Sequence, residues 1–131
     1  MLMQMVTQDG VLNLQAKNLQ QKPNGETSDT SFENGIDFNS IFLKVSARDL
    51  GRFSNIIRLN LSSNKIFNIN ADFCKSLCNV QVLDLRANRI REISPHIKAM
   101  SSLRVLKLDK NELAWLPEEL FDIKILEELT L

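Results

Sequence analysis

The side chains best able to hold a metal ion are scarce in this chain. It has one histidine, His96, two cysteines, Cys74 and Cys78, and no tyrosine among its 131 residues. A tetrahedral zinc site needs four ligands, and no fourth ligand accompanies these three. The four-residue spacing of the cysteines places both on one helical face, where we expect small, partly buried thiols rather than the alternative of a disulfide. We therefore expect no metal site and no cofactor.

Catalytic motifs are missing as well. The sequence has no G-x-x-x-x-G-K-[ST] phosphate loop, no G-x-S-x-G nucleophile turn and no H-E-x-x-H zinc helix. Its acid pairs, Glu118–Glu119 and Glu127–Glu128, are adjacent in sequence. Adjacent side chains project to different faces instead of converging on a substrate. The sequence predicts that this chain is not an enzyme.

A cluster of arginines is the other group that could do chemistry. Arg86, Arg89 and Arg91 lie together in R-A-N-R-I-R-E, and such a patch could bind phosphate or an acidic peptide. Asp84 precedes it and Glu92 follows it, which favours a solvated edge. Over the whole chain, sixteen basic residues balance sixteen acidic ones. We expect neither nucleic acid nor a membrane as a partner, because no net charge attracts them.

The chain also lacks an obvious targeting or spanning segment. No run approaches the ~18–20 apolar residues of a membrane helix, and the short apolar start, residues 1–6, has no basic region before it and no cleavage site after it. Two cysteines without a disulfide framework favour a reducing compartment. We expect a cytoplasmic protein, with the nucleus as an alternative.

A repeat is the strongest signal in the sequence. The pattern L-x-x-L-x-L-x-x-N-x-L begins at Ile56, at Val80 and at Leu103, a period of 23–24 residues. Weaker or partial copies begin at Asp9, Glu33 and Leu126. The chain therefore resembles the leucine-rich repeat family, and its intracellular members with L-P-x-x-L turns most of all. The resemblance covers residues 33–131 well and residues 9–32 loosely.

The resemblance implies an α/β solenoid shaped as a horseshoe. Short parallel strands should form the concave face, and loops, 3₁₀ turns or short helices the convex face. We expect an N-terminal segment over 1–32, either partly disordered or a degenerate repeat that caps the stack. Repeats should follow over 33–131: a degenerate unit at 33–55, clean units at 56–79, 80–102 and 103–125, and a truncated unit at 126–131.

The truncated last unit suggests a fragment of a longer protein. The sequence ends at Leu131, inside the strand pattern of the sixth repeat. An apolar strand edge would then be exposed, and such edges invite pairing with another chain. We expect a monomer, with association through this edge as the alternative.

The repeated asparagines have a structural explanation. Asn64, Asn88 and Asn111 follow the strands, where each side chain can both donate and accept hydrogen bonds. They should satisfy backbone groups of the turns that stacking would otherwise bury unpaired. We expect this asparagine ladder to stabilise the fold and not to bind a partner.

Partner contacts are expected from positions that flank the strand leucines, and from the lone tryptophan, which should lie outside the core. On strand spacing, Asp84 and Lys107 are lateral neighbours, as are Arg86 and Asp109. Such pairs either neutralise one another on a solvated face or form a polar docking surface. The candidates are Arg58, Asn60, Asp84, Arg86, Lys107, Asp109 and Trp115.

The resemblance implies an intracellular protein–protein interaction module. Such a scaffold or adaptor would bind a protein or peptide, of unknown identity, through the concave face and rims of the solenoid. One alternative is the targeting region of a multidomain enzyme whose catalytic domain lies beyond Leu131. Another is a piece of an extracellular receptor, which predicts a signal peptide and cysteine clusters in the parent protein.

Overall fold

The computed structural model describes residues 7–8, 10–13 and 56–131. Short strands alternate there with short helical segments, as the repeat predicts. The strands are β1 (Val11–Asn13), β2 (Arg58–Asn60), β3 (Asn68–Ile69), β4 (Val82–Asp84), β5 (Glu92–Ile93), β6 (Val105–Lys107) and β7 (Glu128–Thr130). The helical segments are α1 (Ala71–Ser76) and two 3₁₀ helices, η1 (Pro95–Ala99) and η2 (Glu118–Asp122).

The main sheet is parallel and has the order β1-β2-β4-β6-β7. The central leucine of each strand aligns with the next, so that Leu59, Leu83 and Leu106 form one row. This register follows from the period, because each repeat returns the chain to the same position beside its neighbour. A smaller parallel sheet pairs β3 with β5 farther along each turn. The predicted α/β solenoid with parallel strands is confirmed.

The core runs along the stack between the strands and the helical segments. In the unit that begins at Val80, the residues in phase with the repeat are at most 1% exposed: Val80, Leu83, Leu85, Ile90, Ile93, Ile97 and Met100. Burying one such side chain contributes about 1.5–3 kcal/mol. A single unit has this apolar set on one face, so neighbouring units must cover it.

The convex segments differ because their first residues differ. Asn70 caps α1 by accepting a hydrogen bond from the Phe73 amide at 2.9 Å. Ser94 caps η1 in the same way, accepting from the His96 amide at 3.1 Å, and Pro95 begins that helix. No side chain caps η2, which follows Pro117. Each segment turns its apolar residues inward, and Phe73, Ile97 and Leu120 are buried.

The two cysteines do not share a helical face. Helix α1 ends at Ser76, so Cys74 lies within it and Cys78 lies beyond its end. Cys74 points into the core and Cys78 is exposed, and both are free thiols. The expectation of two partly buried thiols on one face was wrong, because the helix is too short to carry both positions.

The first strand comes from the unit that begins at Asp9. Leu12 is 1% exposed and belongs to the core, and the Gly10 carbonyl accepts hydrogen bonds from the amides of Ile57 at 2.7 Å and Arg58 at 3.0 Å. Strand β1 pairs directly with β2. The degenerate unit expected at 33–55 and residues 14–32 lie outside the described residues.

Among the described residues, none of the helices has the length and hydropathy of a membrane-spanning segment.

Candidate functional site

The concave face carries two rows of side chains that flank the leucine row. The strand register aligns them across β2, β4, β6 and β7 as the spacing predicts. One row is Arg58, Val82, Val105 and Glu128, and the other is Asn60, Asp84, Lys107 and Thr130. Four candidate residues, Arg58, Asn60, Asp84 and Lys107, are therefore brought together on adjacent strands.

The best-defined polar contact on this face joins Asp84 and Arg86. The Arg86 guanidinium donates to both carboxylate oxygens, from Nη2 to Oδ2 at 2.7 Å and from Nε to Oδ1 at 2.9 Å. The Arg86 backbone amide also donates to Asp84 Oδ1 at 3.1 Å. Paired charge-assisted hydrogen bonds of this kind fix the geometry of both groups. Both residues of this ion pair belong to one repeat, at the end of β4, and not to two neighbouring strands.

These contacts change the acidity of Asp84. Its burial alone would raise the pKa of the carboxyl group, but hydrogen bonds from the Arg86 side chain and backbone, with the positive charges of Arg86 and Lys107, bring that pKa below its ordinary value. The hydrogen bond and charge of Asp84 in turn raise the pKa of Arg86. Asp84 is thus held as a carboxylate beside two cations.

Asp109 has a different partner from the expected one. Arg86 and Asp109 occupy equivalent places after neighbouring strands, but Arg86 turns back to Asp84. Asp109 instead accepts a hydrogen bond from the hydroxyl group of Thr130. Arg86 and Asp109 nevertheless lie in neighbouring turns, and the charge of Asp109 contributes to the raised pKa of Arg86. The hydrogen-bonded partner of Arg86 is the carboxylate two residues earlier in the chain.

Asn60 plays the same local role as Asp84 one repeat earlier. Its Oδ1 accepts from the Ser62 amide at 2.9 Å and from the Ser62 hydroxyl group at 2.7 Å. Both residues therefore cap the turn after their strand, the usual local bond of Asn and Asp side chains. This capping role was not predicted from the sequence. Its signal there is an Asn or Asp two residues before the backbone amide that donates to its side chain.

A shallow depression of ≈ 470 Å³ lies at the end of these rows. Hydroxyl groups and charges of both signs line it, so it offers polar contacts and no apolar pocket. Its lining is Ser62, Ser63, Arg86, Ala87, Lys107, Asp109, Lys110, Glu128 and Thr130. Ser63, Ala87 and Lys110 occupy one position of successive turns, and all three have positive φ values of 59°, 56° and 59°.

Trp115 lies apart from the other candidates. The residue is 53% exposed, as its place in the repeat predicts. It lines a more apolar hollow of ≈ 370 Å³ with Leu113, Leu116 and Leu131, beside the last strand. The two hollows share only Lys110, so Trp115 contributes to a rim and not to the concave rows.

The asparagine ladder joins successive turns. Asn88 donates to the Leu85 and Leu61 carbonyl oxygens, both at 3.0 Å, and accepts from the Ile66 amide at 3.1 Å. Asn111 repeats these contacts one unit later with Leu108, Leu85 and Ile90. Asn64 donates within its own turn to the Leu61 and Ser62 carbonyl oxygens. These bonds satisfy backbone groups of two repeats at once, so the ladder is structural.

No group of three or more histidine, cysteine or acidic side chains in the described part of the chain could hold a metal ion. The concave rows offer hydrogen bonds and charges at fixed spacing, without a buried acid–base pair.

Comparison with known proteins agrees with this geometry. The family model for the leucine rich repeat matches residues 54–113 and again residues 78–131. A solved leucine-rich repeat protein of Leptospira interrogans is similar in fold, with a TM-score of 0.52 and 26% sequence identity. The match covers 74% of this chain and 30% of that chain. No curated protein matches the chain. The chain belongs to the leucine-rich repeat family, whose repeats generally mediate protein–protein interactions.

Proposed function

We propose that this chain is the partner-binding part of an intracellular scaffold or adaptor, and that it binds a protein or peptide through its concave face. The observation that carries the proposal is the strand register. It places Asn60, Asp84, Lys107 and Thr130 side by side on four neighbouring strands. A partner lying across the strands would meet one polar side chain from each repeat.

The charges on this face favour a partner that carries both acidic and basic groups. Asp84 and Arg86 are held together, which orders them before a partner arrives. Arg58 and Lys110 are exposed, and neither forms an ion pair within the described residues. Pre-ordered groups bind with a smaller entropy loss than mobile ones. The face therefore supports specific hydrogen bonding rather than a large apolar contact.

An intracellular location is the part of the proposal that rests on the thiols. Cys78 is exposed and Cys74 is buried, and neither forms a disulfide. Free thiols persist where the cell keeps cysteines reduced. Immunofluorescence of the native protein, with subcellular fractionation, tests this point. A protein found only in the cytoplasm or nucleus supports the proposal, and one found in the secreted fraction contradicts it.

The binding test is affinity capture from cytosol followed by mass spectrometry. The bait is the natural full-length protein, beside a variant with Arg86→Ala, Lys107→Ala and Asp109→Ala. The matched control replaces two cations and one carboxylate on the convex side, with Lys98→Ala, Asp122→Ala and Lys124→Ala. All three control residues are exposed, so both variants lose the same charges.

A partner that the convex control retains and the concave variant loses supports binding through the concave face. A partner retained equally by both variants contradicts binding through the concave face and points instead to the rim around Trp115. Purified partner and protein, mixed and measured by calorimetry, show whether the contact is direct.

A further inference from the structure

A basic surface lies on the rim, outside the concave rows. We define the basic rim as Lys65, Phe67, Arg89 and Arg91, which follow the asparagine ladder in two neighbouring repeats. The Arg89 amide donates to the Ile66 carbonyl oxygen at 2.8 Å, and the Arg91 amide donates to the Phe67 carbonyl oxygen at 2.9 Å. These backbone bonds fix the order of the side chains along the rim. Phe67 and Arg91 therefore lie side by side, about 4.8 Å apart at the backbone.

The charges of the basic rim are only partly compensated. Arg91 Nε contacts Glu112 Oε2 at 3.3 Å, with the two side chains 74% and 51% exposed. An exposed pair of this kind is weak and exchanges readily with other anions. Lys65 and Arg89 are exposed and form no ion pair within the described part of the chain. Two cations are thus available, and a third is held loosely.

An aromatic side chain lies among these cations. Phe67 is half-buried and lines a hollow of ≈ 280 Å³ together with Arg89, Arg91 and Glu112. Arginine guanidinium groups bind carboxylates with two parallel hydrogen bonds, and the exposed part of the ring offers an apolar contact beside them. A ligand that fits both features carries carboxylates next to an apolar side chain.

We infer that the basic rim is a docking site for an acidic peptide segment, whose carboxylates bind Lys65, Arg89 and Arg91 and whose neighbouring apolar side chain packs on Phe67. The three cations span only two repeats, which matches a few carboxylates better than the continuous row of phosphates along a nucleic-acid strand. The site is separate from the concave face of the proposed function, so each can be tested alone.

The test uses the full chain and a short fluorescein-labelled peptide that carries several glutamates beside one leucine. Fluorescence anisotropy gives its Kd for the native protein, for Lys65→Gln with Arg89→Gln, and for the matched control Lys98→Gln with Lys124→Gln. The control removes the same charge from the convex side, where both lysines are exposed. Circular dichroism checks that every variant folds.

The rim variant should bind the peptide about tenfold more weakly, equivalent to two lost charge contacts, while the control stays within about twofold. Binding should also weaken as salt is added, because the contacts are exposed. A concave variant with Arg86→Ala, Lys107→Ala and Asp109→Ala should keep full affinity for this peptide. Loss of affinity in that variant, or equal loss in the control, would overturn the assignment.

Two further measurements examine the chemistry of the ligand. Phe67→Ala should weaken binding of the leucine peptide and leave a peptide with serine in place of leucine unaffected. A single-stranded oligonucleotide of the same charge should bind more weakly than the peptide. If the oligonucleotide binds more tightly and displaces the peptide, the basic rim is a nucleic-acid site and the peptide assignment is wrong.

Discussion

Asn88 shows how one side chain can connect two repeats. It is 7% exposed, and its bonds reach the carbonyl oxygens of Leu61 and Leu85 and the amide of Ile66. The sequence predicts its place and its structural role, because an amide side chain can donate and accept at once. The identities of its backbone partners follow only from the stacking geometry.

Replacing Asn88 with alanine should therefore destabilise the protein. Asn88→Ala leaves buried backbone groups without partners, and we expect the free energy of unfolding to fall by about 1–3 kcal/mol. Urea unfolding followed by circular dichroism measures this. Ser101→Ala, in an exposed turn, is the control and should change stability by less than about 0.5 kcal/mol. Equal effects of the two substitutions would show that the asparagine ladder does not stabilise the fold.

Asp84 should make stability depend on pH in the acid range. Its folded-state pKa is lowered by Arg86 and Lys107. Its stabilising contribution is therefore fully present above the unfolded pKa of about 3.9 and is lost as the pH falls through the lower folded value. The stability difference between the native protein and Asp84→Asn should shrink on acidification from neutral pH.

Urea unfolding at a series of pH values tests the Asp84 prediction. The Arg86→Gln protein supplies the control background, because it lacks the main partner of Asp84. In that background Asp84→Asn should have a smaller and less pH-dependent effect. A stability difference between the native protein and Asp84→Asn that grows on acidification would contradict a lowered pKa of Asp84 in the folded protein.

The two thiols should react very differently. Burial raises the pKa of the Cys74 thiol to about 12, whereas Cys78 is exposed. Because the thiolate is the reactive form, Ellman's reagent at pH 8 should modify only Cys78 in the folded protein. Cys78→Ser should then show no reaction until urea unfolds the chain. Rapid reaction of the folded Cys78→Ser protein would show that Cys74 is not held in the core.

At the scale of the element, the convex segments were the least predictable part of the fold. The repeat pattern allows a loop, a 3₁₀ turn or a short helix there, and the protein contains α1 as well as η1 and η2. The choice depends on local residues: Asn70 caps a six-residue α-helix, while Pro95 and Pro117 accompany 3₁₀ helices. The repeat period indicates which residues are buried, but it does not distinguish an α-helix from a 3₁₀ helix in the segment that joins them.

The cap of α1 should be measurable. Asn70→Ala removes the oxygen that accepts from the Phe73 amide, and we expect a loss of about 1 kcal/mol in the free energy of unfolding. Asn70→Asp keeps an acceptor at the same position and should retain most of the stability. Thermal and urea unfolding of the three proteins compare them. If both substitutions cost the same, the cap is not the reason for the helix.

Strand ends show a similar limit for the candidate site. The sequence predicts that Asp84 and Lys107 are neighbours, and the register confirms it. It does not predict that Arg86 turns back to Asp84 at 2.7 Å. Lateral position follows from the repeat period, but the choice of ion-pair partner depends on the turn after the strand.

At the scale of the whole molecule, the sequence predicts the stack of repeats but does not identify the strand that lies beside β2. Spacing alone places Leu59, Leu83 and Leu106 in one row. It cannot decide which strand precedes β2, because two degenerate units compete for that place in the sequence. Strand β1 takes the position beside β2, and its only buried strand residue is Leu12.

Substitution of Leu12 tests whether β1 packs against the core and pairs with β2. Leu12→Ala should lower the free energy of unfolding by about 2–4 kcal/mol, as for other large-to-small substitutions in a core. Gln8→Ala, at an exposed position in the same short segment, is the control and should have little effect. Chemical denaturation followed by circular dichroism gives both values. Indistinguishable values would mean that β1 does not contribute to the sheet in solution.

The turn position shared by Ser63, Ala87 and Lys110 separates backbone conformation from side-chain identity. Three residues with unrelated side chains adopt the same left-handed backbone conformation there, at a cost of about 1–2 kcal/mol each. The conformation is therefore imposed by the stacking of the repeats and not by the residue type. The same side chains line the concave depression. Substitution at this position therefore changes the polar lining of the depression while the backbone conformation stays the same, so each repeat can present a different side chain at one fixed point.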